Sequence, residues 1–107
     1  MMKKKRDTAG KKFDDGKNKI GEVLGIFPNA IWAVGEVGTH GAKKYSMMNA
    51  LEVDDGINRY TNALYRHLTQ EAMGEKNDTE SGLLHASHTA WNALMRLELL
   101  LKEEFRK

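Results

Sequence analysis

The sequence predicts an all-α protein, a small bundle of three to four helices completed by oligomerisation. Three observations predict it. Apolar residues recur at helical spacing around 28–40 and 57–73. A further segment, 79–104, is apolar over well more than half of its helical circumference, which suits a helix at the centre of a bundle. No stretch alternates convincingly as a strand, and no repeat is visible.

Taken in order, residues 1–12 are basic and nearly devoid of large apolar groups, so they are expected to form a disordered tail. Residues 13–107 are expected to form a single helical domain, a suitable length for one core. Between 13 and 27 the signals conflict: Asp14, Asp15 and Gly16 mark a turn, and Gly21 and Gly25 weaken a helix that Ile20, Val23 and Leu24 would otherwise support. Pro28 is placed to open a helix running to about His40. Residues 46–56 read as a connection that breaks at Asp54, Asp55 and Gly56. Ile57, Tyr60, Leu64, Leu68 and Ala72 define the apolar face of the next helix, with Tyr60, His67 and Glu71 along its border. Gly74 suits the C-cap. A short acidic loop follows, and Asp78 or Thr79 is the expected cap of the last helix.

Composition narrows the chemistry. Cysteine is absent, so disulfides and thiolate ligands are excluded and any metal must be held by His, Asp, Glu or Asn. No apolar run is long enough to span a membrane, and no apolar stretch follows the basic start as in a signal peptide. A soluble, cytoplasmic protein without a membrane partner is expected. The net charge of +2 owes its sign to Lys3, Lys4, Lys5 and Arg6, without which it would be about −2. The basicity belongs to the tail, so nucleic acid is not the expected partner.

The last helix carries a thin polar stripe on an otherwise apolar surface: His85, His88 and Asn92. Polar groups buried without partners cost free energy, so the stripe needs an explanation. Histidines three apart can share a metal, and Asp78 or Glu80 could fold back to complete the site. The alternative is polar groups at a subunit interface, or core residues satisfied by the backbone. Arg59, Arg66 and His67, with Lys43 and Lys44 upstream, could receive a polyphosphate; a solvated helix face is the alternative. Glu71 and Glu75 are a weak pair for Mg²⁺. Among the aromatic residues, one of Trp32, Tyr45, Tyr60, Tyr65 and Trp91 could stack on a base. There is no Walker loop, GxGxxG, GxSxG or HExxH.

Several motifs form one pattern: KFDDGK at 12–17, Pro28, GAKKY at 41–45, Asn49, RHL at 66–68, and GExxDxESGLxHxxHxxWNAL at 74–94. Together they resemble the phage-rich family of the dATP/dGTP diphosphohydrolase N-terminal domain, over about residues 12–100. The last motif is the specific one. The resemblance implies an all-helical protein, distantly like the MazG-type pyrophosphohydrolases, that removes pyrophosphate from purine deoxynucleoside triphosphates in the cytoplasm of an infected host. Two departures stand out. His85 and His88 occupy the place where an ExxD pair would be expected, and Ala50 stands where Trp is common.

On this reading His85, His88 and Asp78 are the candidate ligands of a divalent metal (Mn, Mg, Co or Zn). Asp78, Glu80 and His67 are the candidate catalytic groups. Lys43, Lys44, Tyr45, Arg59, Arg66 and Asn92 are the candidate contacts to a purine nucleotide. The rival reading is a non-catalytic protein that sequesters a nucleotide-derived host-defence signal. A third is a nucleic-acid accessory protein acting through the tail. In each case the apolar last helix leaves too little chain to cover it, so a homo-oligomer is expected.

Overall fold

The computed structural model describes residues 13, 15–44 and 46–106, the last three by their backbone alone. The basic tail at 1–12 and Tyr45 lie outside the described residues. Four α-helices and one 3-10 helix follow one another: α1 (Ile20–Ile26), α2 (Pro28–Gly41), the 3-10 helix (Met47–Glu52), α3 (Gly56–Ala72) and α4 (His85–Arg106). The all-α class holds. No described segment forms a strand beyond an isolated bridge between Asn77 and Leu84.

Pro28 opens α2 as the sequence suggests, its fixed φ suiting the first helical position. α1 is a short helix with no buried residue, bent by 88° from α2. No single helix is long and apolar enough to cross a membrane, although α1 and α2 together pass that test by length and composition. The segment expected as a plain connection winds into the 3-10 helix. It is pinned by Tyr60 of α3, whose hydroxyl donates to the Ala50 carbonyl at 2.7 Å. Asp55 then takes a left-handed turn, φ +54°, into α3.

α3 and α4 lie along one another, and α2 crosses α4 at Gly38. A Cβ there would stand 2.8 Å from Cζ3 of Trp91, so only glycine admits the ring at this distance. The apolar core is small: Val37, Ala50 and Met95. Among the described residues the buried polar ones are His85, Ser87, His88 and Asn92, and no buried side-chain polar atom there lacks a hydrogen bond. The expected burial of α4 on most sides is not met. Leu94, Leu97, Leu100 and Leu101 are exposed; among the described residues this helix packs mainly against α3, with α2 and the 3-10 helix beside it.

The start of α4 also differs from expectation, at His85 and not near Thr79. Gly82 sits at φ +77°, which interrupts a helix, and the Asp78 carboxylate binds the backbone and hydroxyl of Ser81 instead of capping a helical turn. Residues 75–84 therefore form a closed loop. Asp78 N–H donates to the Leu83 carbonyl at 2.8 Å, and His85 N–H donates to the Lys76 carbonyl at 3.0 Å.

Candidate cation and anion site

The loop closure sets the first side chain of α4. His85 is fully buried, and both of its ring nitrogens are used. Nε2 lies 2.7 Å from Oε1 of Glu75, and Nδ1 lies 2.8 Å from Nδ1 of His67 on α3. Gly74, at φ +105°, reverses the chain after α3 and so brings Glu75 to this ring.

A second chain of hydrogen bonds runs beside the first. The Ser81 hydroxyl donates to Oδ2 of Asp78 at 2.8 Å, and Nε2 of His88 lies 2.7 Å from the same hydroxyl. Leu83 N–H also donates to Ser81 Oγ, at 3.1 Å. The hydroxyl proton and both lone pairs of Ser81 are thus engaged, so it links His88 to Asp78 and is not poised as a nucleophile. The two chains meet where the His67 and His88 rings stack, centroids 4.4 Å apart and nearly parallel.

Electrostatics favour neutral imidazoles. Burial lowers the pKa of His67, and the neighbouring His88 lowers it further, against Asp78. Burial likewise lowers that of His88, again against Asp78. For Asp78 itself, desolvation pushes upward, but the hydroxyl and N–H of Ser81 hold the carboxylate lower. His67 and His88 therefore favour the neutral ring and Asp78 the ionised carboxylate, the forms that bind metals. His67, Asp78 and His85 each present one ligand atom, all within 4.8 Å of one another. This donor set fits a divalent ion, and its nitrogen content favours a transition metal over Mg²⁺.

His67, Asp78 and His88 line a cleft of ≈ 210 Å³ that runs under the C-terminal end of α2. Asn92 lines it too, its amide donating to the His88 carbonyl at 2.7 Å. Glu80 and Lys44 stand at the rim as an exposed ion pair, and that partner is what lowers the pKa of Glu80. Lys43 faces a neighbouring hollow lined by Trp32 and Leu24. Arg59 and Arg66 are exposed on α3 and do not line the cleft.

Two participants, Ser81 and His40, carry no role in the sequence reading, and a third, Glu75, carries a different one. Ser81 was visible in the Asp-x-x-Ser spacing, a pattern in which the acid turns onto its own backbone. His40 lines the cleft; it lies three residues after buried Val37, which places both on one face of α2. Glu75 stood out only as a weak magnesium carboxylate, because its contact depends on the reversal at Gly74.

An all-α scaffold with a histidine–aspartate cluster in and behind its cleft wall defines a helical protein whose described residues could hold a metal ion. The chain belongs to the family described as dATP/dGTP diphosphohydrolase, N-terminal, which matches residues 7–107. Comparison with curated proteins finds no match, and comparison with solved structures finds none.

Proposed function

We propose that the protein is a metal-dependent pyrophosphohydrolase of purine deoxynucleoside triphosphates. The observation that carries this reading is the proximity of His67, Asp78 and His85 in and behind the wall of a cleft with Lys44 at its rim. The family description, which names dATP and dGTP, supports the substrate class.

In the reaction, water attacks the α-phosphorus and the bond to the bridging oxygen breaks. Pyrophosphate leaves, and the nucleoside monophosphate remains. A divalent ion held by His67, Asp78 and His85 would supply Lewis acidity and an acidified water. Lys44 and, from the adjoining hollow, Lys43 neutralise the phosphates as charge moves to the leaving group. Asp78 stays ionised, since against burial the Ser81 hydrogen bonds lower its pKa, and so keeps a charged oxygen available to the metal and the attacking water. His88, tied to Ser81 through Nε2, fixes that arrangement from α4. Asn92 lies deeper in the cleft, where a base could be read. Glu80 sets the charge on Lys44, and Arg59 and Arg66 would act only at longer range.

The exposed apolar surface of α1, α2 and α4 supports the homo-oligomer, and the motif resemblance supports a phage protein working in the cytoplasm of an infected cell. The test is chromatography of dATP, dGTP and other triphosphates incubated with the protein and Mn²⁺, Mg²⁺, Co²⁺ or Zn²⁺. Release of pyrophosphate from the purine deoxynucleotides is expected. No turnover with any metal would sink the reading, and tight binding with the nucleotide recovered intact would favour a sequestering protein.

A further inference from the structure

We infer that Glu75 is a positioning residue of the metal site, fixing the buried His85 ring so that its Nδ1 is the ligand atom. The inference rests on the metal reading above. A carboxylate can only accept from a ring nitrogen, so a 2.7 Å contact to Oε1 requires a proton on Nε2 of His85. In the neutral ring the lone pair then lies on Nδ1, the atom 2.8 Å from Nδ1 of His67, which belongs to the same group of three ligand-bearing residues.

The ring's other contact, from Nδ1 to Nδ1 of His67, does not make this choice, because either imidazole nitrogen can donate in it, whereas the carboxylate only accepts. His85 is fully buried, so no solvent reaches Nε2. Its N–H is anchored to the Lys76 carbonyl and its carbonyl accepts from the Thr89 hydroxyl at 3.0 Å, which fixes the backbone but leaves the protonated nitrogen undecided. Glu75 is anchored separately, by its own N–H to the Gln70 carbonyl at 3.0 Å, and its side chain reaches His85 from outside the cleft. It therefore touches the ring without touching the cleft. A carboxylate behind a ligating imidazole both orients the ring and raises its basicity, and removing such a partner weakens metal binding about ten- to a hundredfold.

The experiment compares the full-length wild type with Glu75→Ala and Glu75→Gln. Manganese affinity is measured by calorimetry, and the His85 tautomer by long-range nitrogen–proton NMR on the metal-free protein. Glu75→Ala is expected to bind Mn²⁺ about ten- to a hundredfold more weakly and to lose the single Nε2–H form. Glu75→Gln, whose amide oxygen still accepts from Nε2, is expected to keep the tautomer and recover part of the affinity. A purely structural role would not produce this split. If Glu75→Ala does not fold, Glu75→Asp replaces it with the same expectation, since the shorter side chain withdraws the acceptor. Equal affinity in wild type and a folded Glu75→Ala overturns the inference alone, as does a wild-type His85 protonated at Nδ1 and bare at Nε2. A wild type that binds none of the divalent ions overturns the metal reading as well.

Discussion

The loop end of the α3–α4 pair and the α1–α2 arm invert the usual relation between hydropathy and burial. At the first, the enclosed side chains are His85, Ser87, His88 and Asn92, each with its buried polar atoms paired. Along the second, Ile20, Ile26, Phe27 and Trp32 face outward, and α1 buries nothing. Hydropathy alone would bury the arm and expose the histidines. The difference teaches that the histidine end is held by directional bonds, which demand a particular geometry. The arm is an apolar surface that the described residues leave exposed.

The sharpest way to break this contrast is His85→Ala. It removes a fully enclosed ring and strands Glu75 and His67, so a loss of about 2–4 kcal/mol is expected in urea unfolding. Next is Gly38→Ala, whose Cβ would meet the rigid Trp91 ring; a loss of about 1–3 kcal/mol is expected from the same measurement.

Acid should act on the histidine end as well. His67 and His88 have pKa values below the ordinary 6.5, so between pH 6.5 and their folded values the unfolded chain binds more protons. Stability is present above 6.5 and falls as pH drops through the folded values. Asp78, also lowered, adds a further loss in the same direction below its ordinary 3.8. Urea midpoints that stay flat from pH 7 to pH 4 would contradict the buried neutral cluster.

Smaller effects are expected on the arm. A Cβ at Gly35 meets nothing within 4 Å, so Gly35→Ala should stabilise α2 by about 0.5–1 kcal/mol. Trp32→Ser should change unfolding by no more than about 0.5 kcal/mol in the monomer. Its consequence should appear instead in sedimentation, as weaker self-association; unchanged association would remove Trp32 from the oligomer contact.

The helices α2 and α3 were legible because proline, glycine and the apolar period agree at their ends. The beginning of α4 was not. Asp78 and Ser81 can cap a helix or close a turn, and only the long-range contacts of 77 with 84 and of 85 with 76 decide between them. The site was legible as a set of residue types: His67, Asp78, His85, His88 and Asn92 do gather in and behind one cleft wall. The partners were not legible. That Nδ1 of His67 stands 2.8 Å from Nδ1 of His85 follows from how α3 lies on α4, which no local pattern encodes. Arg59 and Arg66 looked like phosphate ligands by type, but their rotation about α3 turns them from the cleft.

The Lys44–Glu80 pair has a consequence for traffic into the cleft. The cation at the entrance already carries a counter-ion supplied by the protein's own loop. On the proposed function, an arriving phosphate would enter by exchange, displacing Glu80 instead of filling a vacancy. Because both partners sit in water, the exchange is easy and salt-sensitive. It also favours ligands that bring more than one negative charge, since a single carboxylate is the standard they must beat. On that reading the rim would select for polyanions, and the rate of entry rather than the depth of the cleft would be the property that Glu80 tunes.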